Sequence, residues 1–305
     1  MTGLLDRRFL FVTGKGGVGK TTVAAAIGLA ASRKGKRTLI AMVNCKERLS
    51  QILDVPPIGP HVVNVAPNLD AVNMTPSAAL EEYGVMVLRV RALYKAIFEN
   101  RLVRAFLRGT PGIEAWSMLG KAFFHASPPD GSQGYDLVIV DAPATGHALD
   151  MLRVPVVIQK VAPPGLLRKE ADRAIEMFRD ARQSGMVLVT LPEDMPAQET
   201  LQLHSALVDE LSLPIGAVVV NSLLPSLFGP DERPVIEGLP RQIEAASPIH
   251  PTVRAGRARS LRERVQDDSV ALLRRSLPGP FLGLPHLFVP KFDRAALESL
   301  ARAFD

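Results

Sequence analysis

Two lysines, a threonine and an aspartate carry the clearest chemistry in this chain. Gly14–Thr22 reads G-K-G-G-V-G-K-T-T, and Gly14 to Thr21 fits G-x-x-x-x-G-K-[ST]. Gly14, Gly16, Gly17 and Gly19 let the backbone turn its N–H groups toward a di- or triphosphate. Lys20 is suited to bridge the terminal phosphates. The Thr21 hydroxyl is suited to hold Mg²⁺, and Thr22 belongs to the same phosphate-binding set. Asp141 closes the run L-V-I-V-D, where a carboxylate at the end of a buried strand can hold the metal or its water. Lys15 is an addition that the loop motif does not require.

These groups need a strand before the loop, a helix after it and a second strand ending at Asp141. The sequence supplies all three. F-L-F-V-T from Phe9 reads as a buried strand, and K-T-T-V-A-A-A-I-G-L-A-A-S-R-K as a helix stopped at Gly35. Further apolar runs start at Arg37, Asp136, Met186, Gly216 and His286 (the last H-L-F-V-P), and each is expected to be a strand. Continuous apolar runs separated by helices point to an α/β fold, a doubly wound, mostly parallel sheet flanked by helices. Between Pro76 and Phe124 the apolar residues recur at helical spacing, and a second helical stretch follows Pro163-Pro164-Gly165. One domain over 1–305 is expected, with a small helical lobe drawn from about 76–130 and 155–184.

The bulk properties agree with a soluble, cytoplasmic chain. It has 305 residues, 47% of them hydrophobic, and a net charge of +5. Its one cysteine, Cys45, excludes an internal disulfide and any cysteine-built metal site within one chain. No secretory leader and no spanning apolar run is read in it. The Arg-rich stretch 254–275 has Glu263, Asp267 and Asp268 interleaved and reads as a solvated helix face. It gives no convincing signal for nucleic acid or a membrane.

The loop G-K-G-G-V-G-K-T resembles the deviant Walker A of the arsenite-pump and tail-anchored-protein targeting ATPases, a P-loop NTPase group. Asp141 and the following A-P-A-T-G-H-A-L resemble that group's second switch, and P-G-I-E-A from Pro111, V-T-L-P-E-D-M-P-A-Q-E-T from Val189 and V-V-V-N-S-L-L from Val218 resemble later elements. The resemblance implies ATP and Mg²⁺ as ligands, with Thr21 and Asp141 on the metal. It implies that Asn221 reads the adenine edge and that Pro290 flanks the base. It also implies a face-to-face dimer, homo- or heterodimeric with a related ATPase, in which Lys15 reaches the partner's phosphates, and a protein client of unknown identity.

One departure bears on catalysis. The group's first switch, D-P-A-H-x-L-S, is here N-C-K-E-R-L-S, so Asn44 stands where an aspartate would orient the attacking water. An amide cannot take the water's proton. Glu47 is the nearby acid that could substitute; a hydrolysis-deficient subunit paired with an active relative is the alternative, and a partition-type ATPase working on DNA or a membrane is disfavoured by Thr145-Gly146-His147. Arsenite is not expected as cargo, since Cys45 alone cannot supply three soft ligands.

Overall fold

The computed structural model describes residues 3–43, 46–76, 78–80, 82–83, 112–129, 131–162, 164–239, 243–244 and 246–305. Asn44, Cys45, Pro111 and most of the apolar stretch before it lie outside the described residues.

In chain order the described elements are β1 (Phe9–Thr13), α1 (Lys20–Arg33), β2 (Thr38–Val43), α2 (Leu49–Leu53), β3 (Val63–Ala66), β4 (Leu69–Met74), α3 (Ile113–Ala126) and β5 (Leu137–Asp141). They continue with α4 (Thr145–Val161), α5 (Leu166–Arg179), β6 (Ser184–Thr190), α6 (Asp194–Ser205), β7 (Ile215–Leu223), α7 (Glu232–Gly238), α8 (His250–Ser276), β8 (Phe281–Pro285) and α9 (Arg294–Ala301). The strands form one sheet in the order β3-β4-β2-β5-β1-β6-β7-β8. All neighbours are parallel except β3 and β4.

Strand alternation sorts the core into two layers. Phe9, Phe11, Leu39, Val138, Val140 and Leu188 face α3, α4, α5 and α6. Leu10, Val12, Ile40, Met42, Ile139 and Val187 face α1, α2 and α9. On the first face Phe178 of α5 packs 4.8 Å from Phe9 and 5.9 Å from Phe123 of α3, ring centroid to centroid. On the second face α1 lies close enough to the sheet that a Cβ on Gly28 would sit 2.7 Å from Ile40 Cδ1. The glycine is there to permit that approach.

Two strand expectations change. The last strand is Phe281–Pro285, not the run from His286. Its partner β7 ends at Leu223, whose carbonyl accepts the final bond from His286 N at 2.8 Å. Beyond that point H-L-F-V-P has no strand to pair with among the described residues, and Phe288 is 70% exposed. The antiparallel pair β3–β4 is an addition. It turns at Asn68, a non-glycine residue with φ 57°, a conformation asparagine tolerates.

Candidate nucleotide site

The site lies at the C-terminal ends of the central strands, where open α/β sheets bind ligands. β1 and β5 are neighbours, with Val12 opposite Asp141. The chain leaves β1 into the glycine loop and leaves β5 into Ala142–Ala144, so both segments meet over the same sheet edge.

The loop is shaped by close contacts. Gly14 has φ 151°, and a Cβ there would overlap the Val189 carbonyl oxygen of β6. Gly19 has φ 94° and caps α1, and a Cβ there would overlap the Asn221 amide. Asn221 is buried at the end of β7. Its Nδ2 donates to Val18 O at 2.9 Å, and its Oδ1 accepts from Ser222 N at 2.9 Å. The asparagine amide therefore braces the loop.

Lys20 Nζ donates to Gly14 O at 3.2 Å and Lys15 O at 3.1 Å, which curls the loop around its ammonium. Thr21 Oγ1 donates to Asp141 Oδ2 at 2.6 Å. Burial pushes the Asp141 carboxyl up to about 6, against the opposing pull of the Thr21 hydroxyl and the Lys20 charge. A hydroxyl and a carboxylate in contact beside a phosphate cradle are hard oxygen donors, and they fit Mg²⁺, which keeps several waters and takes phosphate oxygens. Among the described residues no group of three or more His, Cys, Asp or Glu is gathered for a metal. The Thr21–Asp141 oxygen pair, with room for phosphate oxygens and waters, suits an ion that arrives with its nucleotide.

Lys15 points away from this cradle. Its Nζ pairs with Glu199 Oε1 of α6 at 2.5 Å, with both side chains about a third exposed.

Two cavities meet at Gly17. The first, about 640 Å³, is lined by Gly17, Gly19, Lys20, Thr21, Thr22, Asp141 and Ala142–Ala144, and on its other side by Lys46, Arg48, Gln51, Ile52 and Phe292. The second, about 610 Å³, is lined among others by Pro192, Ser222, Arg262, Gln266, His286 and Phe288. Its α8 wall is pinned: Gln266 bonds both the amide and the carbonyl of Leu224, at 2.8 and 3.0 Å. Asn221 and Pro290, expected beside a base, are not among the residues lining either cavity. Pro290 is exposed, and its neighbours Phe288 and Phe292 line the walls instead.

Asn44 falls outside the described residues. Glu47, the candidate replacement acid, is turned to α2: its carboxylate accepts from Ser50 N at 2.8 Å and Ser50 Oγ at 2.6 Å. His147, in the segment after Asp141, is exposed and does not line the phosphate cavity. Lys46, Arg48, Phe292 and Glu199 were not anticipated. The first two were visible as cations replacing the resembled motif. The pairing of Lys15 with Glu199 spans 184 positions and has no local signal.

Comparison with known proteins agrees with this geometry. Residues 7–163 match the model of the anion-transporting ATPase family. The chain is 30% identical over 232 residues to the ATPase BagA of Mycobacterium tuberculosis, covering 74% of this chain and 68% of the relative. It is 26% identical over 235 residues to an arsenical pump-driving ATPase of Escherichia coli, covering 71% of this chain and 40% of that protein. It is 25% identical over 269 residues to ATPase GET3B of Arabidopsis thaliana, covering 72% of this chain and 65% of the relative.

Proposed function

The chain belongs to the anion-transporting ATPase family, and we propose that it binds ATP with magnesium across the two cavities and hydrolyses it as one half of a dimer. The observation that carries this reading is the 2.6 Å contact between the Thr21 hydroxyl and the Asp141 carboxylate beside the Gly14–Lys20 cradle. A triphosphate lying along Gly17 would put its phosphates in the first cavity and its base in the second. Lys20 neutralises phosphate charge, and loop amides donate to phosphate oxygens. Thr21 and Asp141 would hold the magnesium, which would neutralise phosphate charge. Lys15, released from Glu199, would offer its ammonium to a nucleotide in a second subunit. Opening and closing of that dimer would be coupled to a client.

A second reading has its own support. Asn44 replaces the acid expected from the family resemblance, and Glu47 is engaged at the start of α2. On that reading the chain binds nucleotide without turning it over and pairs with an active relative. Arsenite stays outside both readings, because one cysteine is too few soft ligands.

Phosphate release from the purified protein tests the main reading, with Lys20→Ala and Glu47→Gln as controls. Hydrolysis predicts a rate that Lys20→Ala abolishes and Glu47→Gln leaves in place. A wild-type rate no higher than that of Lys20→Ala, with ATP still bound, selects the second reading.

A further inference from the structure

The segment after β2 brings two cations to the phosphate cavity. Lys46 and Arg48 both line it, with Thr21 and Asp141. Both are exposed, and neither forms an ion pair or side-chain hydrogen bond among the described residues. Glu47 between them pairs with neither; its carboxylate accepts from Ser50 N and Ser50 Oγ instead. Lys46 and Arg48 line the cavity, and Glu47, engaged at the start of α2, does not.

Their end of the cavity can be assigned. The second cavity touches the first only through Gly17, and neither Lys46 nor Arg48 lines it. They share walls instead with the metal-side pair Thr21–Asp141 and with Ala142–Ala144. A nucleotide whose base lies beyond Gly17 therefore presents its last phosphate to them.

We infer that Lys46 and Arg48 are terminal-phosphate ligands supplied in cis, so that this site distinguishes a nucleoside triphosphate from a diphosphate by charge. The inference rests on the nucleotide reading above and adds to it the groups that sense the γ-phosphate. A guanidinium presents a planar fork of donors to a phosphate, and an ammonium adds a compact charge. With Asn44 in place of an acid, the segment carries no carboxylate to repel the same phosphate except the turned-away Glu47. The segment then holds a triphosphate without help from Lys15 while Lys15 is paired to Glu199.

The test is equilibrium binding of ADP and of a non-hydrolysable ATP analogue, both with magnesium, to full-length wild type, Lys46→Ala, Arg48→Ala, Arg48→Lys and the double alanine variant. The side chains are exposed, so the fold tolerates the changes, and circular dichroism checks this. Each alanine variant is expected to lose about tenfold in affinity for the triphosphate analogue and less than about twofold for ADP. Arg48→Lys should recover most of the loss. Equal losses for both nucleotides, or none for either, would overturn the inference. If wild type binds neither nucleotide, the nucleotide reading itself fails, which is a different result from unchanged variants.

Discussion

Removing the Glu199 carboxylate should make a dimer easier to form. In the single protomer Lys15 Nζ is held 2.5 Å from Glu199 Oε1. If Lys15 must reach a partner's phosphates, each protomer has to break that pair first. Its side chains are 31% and 35% exposed, so water screens the attraction. A pair of this exposure is worth ~0.5–1 kcal/mol. A symmetric dimer breaks two, so the latch opposes closure by ~1–2 kcal/mol, or about 5- to 30-fold in the dimer dissociation constant. The assay is sedimentation equilibrium with a non-hydrolysable ATP analogue, comparing wild type, Glu199→Gln and Lys15→Ala. Glu199→Gln should tighten the dimer by that factor, and the gain should shrink at high salt, because salt weakens the wild-type latch as well. Lys15→Ala should weaken it. A dimer constant unchanged by Glu199→Gln would refute the latch. A weaker dimer would show that Glu199 acts across the interface.

Three further outcomes follow from the same geometry. Magnesium-dependent nucleotide affinity should fall about tenfold per unit as pH drops below about 6, because Asp141 must be ionised to hold the metal and burial has raised its pKa to about 6; titration calorimetry across pH checks this, and Asp141→Asn should flatten the profile. His125 is pushed down to about 4 by burial and by the Lys121 charge, so the folded state resists its protonation. Its stability contribution is intact above its ordinary pKa of 6.5 and is lost as pH falls toward 4, up to ~3 kcal/mol. Asp141 has the opposite slope in that window, so the readout is the difference in urea unfolding between wild type and His125→Phe, which should narrow as pH rises to 7. Finally, Phe288→Ala removes a 70% exposed ring that lines the second cavity. It should leave the melting temperature unchanged, weaken ATP about tenfold through lost base stacking, and leave inorganic tripolyphosphate binding unaffected; fluorescence titration of both ligands decides it.

Much of this site was legible from local sequence. A glycine loop between an apolar run and an Ala-rich helix specifies a backbone cradle, because glycine alone enters left-handed φ freely and the helix start supplies oriented amides. The runs at Phe9, Arg37, Asp136, Met186 and Gly216 declared buried parallel strands, because strands covered on both faces must be apolar throughout. Asp141 at the end of one such run could then be placed beside Thr21, 120 positions away, and the 2.6 Å contact follows.

Other features depended on long-range packing. Two apolar runs, F-L-G-L-P and H-L-F-V-P, lie side by side in the chain. The length of β7 decided which became a strand, since a strand needs a partner to bond. The sequence marks Asn221 as a donor and acceptor, and only the close approach of Gly19 shows that its amide also holds Val18 O. Lys15, Lys46 and Arg48 are all cations in loops near the same strand ends. Composition and spacing identify them as charges and cannot say what each one faces. Glu199 captures the first, while the other two line the phosphate cavity beside the start of α2. Backbone shape is encoded by neighbours in sequence, but the direction of a charged side chain is set by whichever opposite charge or cavity the tertiary structure brings within a few ångströms, because attraction between exposed groups fades beyond that range.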